Sequence, residues 1–379
     1  MRPARVLAIA ARTMACPTAP YREGEVIAWV RAFAARCPGL ALREDAYGNL
    51  ELRRRGVRAS AAPLVLGAHM DHPGFRALRC TRAPDGFHVD ALFLGGVRPE
   101  YFAGARARFH TGGAGVAARV VAARPDRASG ELRVRLAART PVAPGAFGTW
   151  DLPGFRRSRR DPDLLETRAA DDLAGVAAIL AVLELADRID PARRVDVRGL
   201  LTRAEEVGFV GAIAAARSGA LPRGARIVAI EASKALANAP QGAGPILRVG
   251  DRTSVFDDGL TRWLGRVAAE LAGPRGDRFA WQRKLMDGGT CESTAYQLHG
   301  HRCAALCVPL GNYHNMSERG RIAVESIRLA DLVGLVRFFE AMIRRDADCP
   351  RAGAPDPLRA RIDARFRRAR RELARDPFA

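Results

Sequence analysis

PLVLGAHMDHPGF, residues 63–75, decides the fold. Leu64 to Ala68 form a short, continuous apolar run, the pattern of a strand buried on both faces of a parallel sheet. His69 and Asp71 follow it directly. In an open α/β sheet, the edge just past such a strand is where sites form. The arrangement returns downstream: Asp171 and Asp172 open an apolar helical stretch, and Glu205 and Glu206 follow VDVRGLL (195–201). Glu231 ends RIVAIE (226–231), and His314 follows CAALCVPLGNY (303–313).

Working outward from 63–75, hydrophobic periodicity predicts an amphipathic first helix carrying Val6, Leu7, Ile9, Ala10 and Met14, read as retained in the mature protein, and a second helix over 23–36. Past His72 the pattern changes. FHVDALFL (87–94) and ELRVRLA (131–137) alternate in period two, with Leu132, Val134 and Leu136 opposite Arg133 and Arg135, between turn clusters at 84–86, 95–96, 112–113 and 144–145. From Asp171, helices are expected over 172–187, 208–218, 258–272, 291–298 and 323–344, separated by strands. The expected class is α/β: a mostly parallel sheet covered by helices on both faces, built from 1–72 and 164–350, with a β-rich domain inserted at 73–163. Residues 351–379 form a basic helical tail with nine arginines, four acids and an apolar stripe of Leu358, Ile362, Phe366, Ala369 and Leu373, read as docking on the body.

At 379 residues, 48% hydrophobic and 27% charged, the chain is neither disordered nor fibrous. Its longest nearly apolar stretch, Gly175 to Ala186, is broken by Glu184 and too short to span a bilayer. The formal charge of +20 comes almost wholly from arginine, since only Lys234 and Lys284 are lysines. The arginines are spread along an alanine- and glycine-rich chain, which fits a compositional bias better than a binding patch. No membrane and no nucleic-acid partner is therefore expected. Seven cysteines without a CxxC pair point to a reducing cytoplasm.

Singly, the acidic and imidazole groups are unremarkable: HxD occurs by chance, DD before a helix is often a cap, and EE is often a solvated face. Their recurrence after apolar strands is the signal, because unpaired buried charge is costly unless it binds a cation. Two histidines and several carboxylates, without cysteine, suit zinc or another borderline divalent ion. His88, His110, His299 and His301 read as structural, and Cys303 and Cys307 as packing groups. Gly288, Gly289 and Thr290 could offer backbone N–H groups to a substrate.

GAHMDHPGF (67–75), TRAADDLAGVAAIL (167–180), TRAEEVGFVGA (202–212), IVAIEAS (227–233), DGGTCESTA (287–295) and VPLGNYHNMSE (308–318) together resemble the successive motifs of the dinuclear zinc aminopeptidases, and most of all their tetrahedral, glutamyl- and leucyl-type branch. DAYGNL (45–50) and LGGVRPEYFAG (94–104) are similar to that branch as well. The resemblance implies that His69 and Glu231 hold one metal, Glu206 and His314 a second, and that Asp171 bridges them. It implies that Asp71 orients His69 and that Glu205 is the general base. Two divalent ions are implied, zinc with cobalt or manganese as substitutes, and a homo-oligomer built through the inserted domain. The sequence departs from the branch at Glu231, where aspartate is usual, at Cys291-Glu292 after GGT, and at His72-Pro73.

The expected function is a metal-dependent aminopeptidase acting on short peptides. A two-metal deacylase or carboxypeptidase of the same fold is the alternative enzyme. From another class, the alternative is a non-catalytic, nucleic-acid-associated protein that retains the fold.

Overall fold

The computed structural model describes residues 2–126, 130–350 and 357–374. The chain opens with helices α1 (Pro3–Met14) and α2 (Gly24–Ala35), followed by β1 (Leu40–Glu44), β2 (Leu50–Arg54) and β3 (Leu64–His69). Then come β4 (Gly74–Ala83), β5 (Gly86–Leu94), β6 (Arg106–Phe109), β7 (Val116–Pro125), β8 (Leu132–Ala138) and β9 (Phe147–Trp150). Next are β10 (Phe155–Arg157), β11 (Leu164–Thr167), α3 (Leu173–Ile189), β12 (Val197–Thr202), α4 (Val210–Arg217), β13 (Arg226–Lys234) and β14 (Ile246–Gly250). The chain continues with α5 (Asp258–Ala272), β15 (Gln282–Leu285), α6 (Glu292–Leu298), β16 (Arg302–Leu310), β17 (Glu325–Arg328), α7 (Leu329–Arg344) and α8 (Pro357–Leu373).

The main sheet has eight strands in the order β1-β2-β12-β3-β13-β16-β14-β15. Its centre, β12-β3-β13-β16, is parallel, and every residue of β3 and β12 is buried, as expected where helices cover both faces. Helix α3 packs on this centre and against α1 and α7. It is therefore buried nearly all round, from Leu173 through Leu183.

The sheet is mixed rather than mostly parallel, which corrects the expectation from sequence. Strands β1 and β2 run antiparallel because the short DAYGNL turn joins them, and a connection that short permits nothing else. Strand β2 lies antiparallel to β12, and β14 antiparallel to β16. A second correction falls at 323–344. Residues Glu325–Arg328 are a strand, β17, pairing with β11, and the helix begins at Leu329.

Strands β4-β5-β8-β7-β6-β9 close into a barrel, which leaves no free edge. In β8, Val134 and Leu136 are buried while Arg133 and Arg135 face solvent, following the period-two pattern. The barrel centre is aromatic: Phe75 and Trp150 meet edge to face at 4.9 Å, as do Phe93 and Phe102 at 4.8 Å.

The docking expected of the tail fails at Ile362 and Phe366, which are 53% and 58% exposed on α8. The remaining tail residues, 351–356 and 375–379, lie outside the described residues.

Candidate active site

The carboxyl ends of the central parallel strands bring the sequence-selected groups together. His69 is the last residue of β3, and Glu231 lies within β13. Asp171 precedes α3, Glu205 and Glu206 occupy the turn after β12, and His314 follows β16. Donor atoms of His69, Glu205 and Glu231 lie within 4.8 Å of one another, as do those of Asp171, Glu206 and His314. Asp171 joins the two groups. Its Oδ1 is 3.4 Å from His69 Nε2, and its Oδ2 is 3.6 Å from His314 Nε2. His69 Nε2 is also 3.9 Å from Glu205 Oε2 and 3.9 Å from Glu231 Oε2, while His314 Nε2 is 3.2 Å from Glu206 Oε1.

Both imidazoles are oriented in one way. His69 Nδ1 lies 3.1 Å from the Asp71 carbonyl oxygen, and His314 Nδ1 lies 2.9 Å from the Gly96 carbonyl oxygen. A carbonyl only accepts, so each Nδ1 carries a hydrogen, which leaves Nε2 as the nitrogen available to a metal. Each Nε2 faces carboxylate oxygens, an arrangement satisfied by a proton on the ring or by a cation held between them. Among the described residues, Asp171 Oδ1, Glu206 Oε1 and Glu231 Oε1 are buried without a hydrogen-bond donor. Mixed nitrogen and oxygen donors with unsatisfied inward atoms fit divalent metal ions.

The electrostatics agree. Burial pushes Glu205 well above the usual carboxylate range; His69 opposes this, and Glu231, Glu206 and Glu292 add to it. Burial raises Glu231 to about 8, against the pull of His69. Burial would lower His314, but Glu206 and Asp171 outweigh it and raise the imidazole to about 9. Such crowding of like charge is what a bound cation relieves.

Local folding explains how these groups are held. Asp71 lies 3.6 Å from His69 Nδ1, but its carboxylate also accepts the N–H groups of Glu205 (2.9 Å) and Glu206 (3.1 Å). Asn49 of the DAYGNL turn accepts from Arg203 N at 3.0 Å and donates to the Gly211 carbonyl at 3.0 Å, bracketing the same loop. Asp172 caps α3, accepting from Gly175 N at 3.1 Å.

Sequence reasoning missed four supporting residues. Glu325, fully enclosed, accepts from the backbones of Ala170, Asp171 and His314. His72 places Nδ1 at 2.7 Å from the Asp171 carbonyl and Nε2 at 3.0 Å from Asn315 Oδ1. Asn315 Nδ2 donates to the Arg168 and Ala323 carbonyls, which fixes that oxygen toward His72. Buried Glu23 accepts from Ala204 N at 3.1 Å, just ahead of Glu205. No local signal separates these residues from ordinary polar positions, since their partners are remote in sequence.

A cavity of about 310 Å³ opens beside Glu231, lined by Lys234, Arg248, Cys291 and Tyr313 and also by Gly288, Gly289 and Thr290. The three substrate candidates thus lie next to the cluster. A larger cavity, about 870 Å³, lies among Arg2, Arg5, Glu184, Arg188, Glu340 and Arg344. Its lining holds four arginines against two glutamates, with Arg5 paired to Glu184, and the catalytic candidates lie elsewhere. His110 lies in the barrel loop after β6, its Nε2 3.0 Å from Thr149 Oγ1, and burial, aided by Arg168 and Arg108, lowers it to about 4. Cys303 and Cys307 are fully buried in β16, and all seven cysteines are free thiols.

The fold and the grouped donors define a site suited to divalent metal ions at the carboxyl edge of an α/β sheet. The model of the M42 glutamyl aminopeptidase family matches residues 137–328, and the chain belongs to that family. Among solved structures, the TET1 peptidase of Pyrococcus horikoshii, which can assemble into a tetrahedron or a large octahedral shell, is 22% identical with a TM-score of 0.71, covering 89% of this chain and 99% of its own. An aminopeptidase from the archaeon Desulfurococcus kamchatkensis is 19% identical with a TM-score of 0.73, covering 91% of this chain and 96% of its own. A Thermotoga maritima aminopeptidase of the M18 family is 12% identical with a TM-score of 0.66, covering 89% of this chain and 96% of its own. At these identities the likeness is one of fold. No curated protein matches the chain.

Proposed function

We propose that the protein is a two-metal aminopeptidase that removes N-terminal residues from short peptides. The observation that carries this reading is Asp171, whose two carboxylate oxygens face two separate histidine-carboxylate groups. His69 and Glu231 would hold one ion, Glu206 and His314 the other, and Asp171 both. Zinc fits the donor set, with cobalt or manganese as substitutes. When bound, the ions supply a polarised water and a Lewis-acid contact for the scissile carbonyl.

The remaining chemistry belongs to the chain. Glu205, whose N–H is pinned by Asp71, accepts a proton from the attacking water as the new C–O bond forms. It returns that proton to the leaving amine as the C–N bond breaks. Asp71 keeps the His69 ring and the 205–206 turn in one arrangement. Segments 1–72 and 164–350 would carry this chemistry, while 73–163 would pair copies of the chain into a homo-oligomer.

The cavity beside Glu231 supports a preference for an acidic side chain. Arg248 is buried at its wall; its Nη1 donates to Ser233 Oγ at 3.4 Å, while its Nε has no hydrogen-bond partner among the described residues. Burial opposes its charge, but Cys291, Cys307, Glu231 and Asp251 hold it above the usual arginine value. Lys234 lines the same cavity.

Replacing Glu205 with Gln tests the reading. Metal content should stay near normal while turnover falls at least about a hundredfold, as for a lost general base. Unchanged turnover would remove Glu205 from the mechanism.

A further inference from the structure

Helix α8 carries none of this chemistry, yet it has two unlike faces. At about 100° per residue, Leu358, Ile362, Phe366 and Ala369 fall within one arc of about 80°, while six arginines, Asp363 and the small Ala360 and Ala364 occupy the rest of 358–370. Arg365 borders the apolar arc on one side and Arg359 on the other. Ile362 and Phe366, one helical turn apart, are 53% and 58% exposed, so the body leaves the centre of the stripe open.

The charge selects what covers it. A second copy of this chain, itself at a formal +20, repels an arginine-lined helix. RNA answers the arginines with its phosphates and Phe366 with a stacked base, but leaves the aliphatic Leu358 and Ile362 of the same stripe without a role. An anionic bilayer surface answers both. Its headgroup boundary takes an apolar face a few ångströms deep, and its phosphates receive bidentate guanidinium contacts from the flanking arginines.

We propose that α8 is a surface anchor, laying its Ile362–Phe366 face into an anionic phospholipid bilayer with its arginines on the phosphates. This departs from the sequence expectation of no membrane partner. It requires no spanning segment: no helix among the described residues is long and apolar enough to cross a membrane. With its apolar face running along the helix axis, α8 would lie in the plane of the surface.

The test is flotation of the full chain with phosphatidylcholine vesicles containing about 40% phosphatidylglycerol, against phosphatidylcholine alone. The expected result is binding to the anionic vesicles only, weakened by 0.5 M salt as charge is screened. Ile362→Ser with Phe366→Ser should weaken binding at least about tenfold while leaving peptidase activity unchanged, which confirms the fold. Phe366→Trp should show a blue-shifted emission on anionic vesicles, locating the contact on α8. Absence of flotation would overturn the proposal. So would flotation that survives deletion of 351–379, because the charge of the body would then account for it. A Phe366→Trp shift produced by RNA or by self-association, and not by vesicles, would assign the face to those partners instead.

Discussion

Glu325 accepts the backbone N–H of His314 at 2.8 Å from a side chain wholly enclosed by protein. Its second oxygen takes the N–H groups of Ala170 at 2.7 Å and Asp171 at 3.2 Å. One carboxylate therefore fixes the separation between two proposed metal-holding residues. Burial, opposed by His72, raises it to about 7. Glu325→Gln turns one acceptor into an NH2 group facing N–H donors. Divalent-ion affinity should fall about tenfold or more, as for other supporting groups around a metal. Calorimetric titration of the apo-protein with zinc checks this, with Glu325→Asp as the partial restoration. Unchanged affinity in a folded Gln variant would deny the positioning role.

Gly211 leaves no space for a side chain. A Cβ there would stand 2.3 Å from the Arg203 carbonyl oxygen, 2.5 Å from Arg203 N and 2.7 Å from Asn49 Oδ1. Gly211→Ala must push on the loop that carries Glu205 and Glu206. Turnover should fall at least about tenfold, since small misplacements of a reacting group are costly. Overpacking should also lower thermal stability by about 1–3 kcal/mol. Steady-state kinetics and a melting curve measure the two effects; wild-type values in both would mean that the loop yields freely.

Arg248→Gln removes the buried charge at the wall of the cavity and leaves a shorter, uncharged polar side chain. The ratio of kcat/KM for N-terminal Glu over N-terminal Leu should drop by about tenfold or more, through loss of a charge-assisted contact. Competition between two otherwise identical dipeptides reads that ratio directly. An unaltered ratio would place side-chain selection elsewhere.

Acid stability has a defined contributor in Asp196. Burial raises its pKa, but Arg198, bonded at 2.8 and 3.1 Å, and the Ser60 N–H at 2.8 Å outweigh it and hold the group below its ordinary value. A folded-state pKa below the unfolded value of about 3.9 contributes stability that is present above that value and is lost as pH falls through the folded one. Asp196→Asn should therefore lower Tm at neutral pH by at least about 3 °C and flatten its decline below about pH 4. A variant whose Tm keeps the wild-type slope in acid would exclude Asp196 as a contributor.

The parallel centre of the sheet was legible because β3, β12, β13 and β16 are apolar runs, each followed by an acidic or imidazole group. The barrel strands announced themselves by alternation, as in Leu132 to Leu136. Less legible were the edges. Strand β14 reads Ile-Leu-Arg-Val-Gly, too short and interrupted to separate from loop, and β17 was absorbed into the apolar periodicity of α7. The cluster itself emerged from residue type and order. Glu325, His72 and Glu23 did not, because each acts through backbone atoms of residues distant in the chain. The fate of the α8 stripe was equally hidden, since periodicity defines an apolar face without saying what it meets.

The central claim is that the site cleaves from a free N-terminus, and matched peptides test it most directly. One peptide with both ends free, one N-acetylated and one C-amidated are incubated with the protein plus zinc or cobalt and followed by mass spectrometry. Stepwise loss of N-terminal residues from the free and amidated peptides, with the acetylated one intact, is the predicted result. Shortening only from a free C-terminus, or removal of the acetyl group, would contradict it.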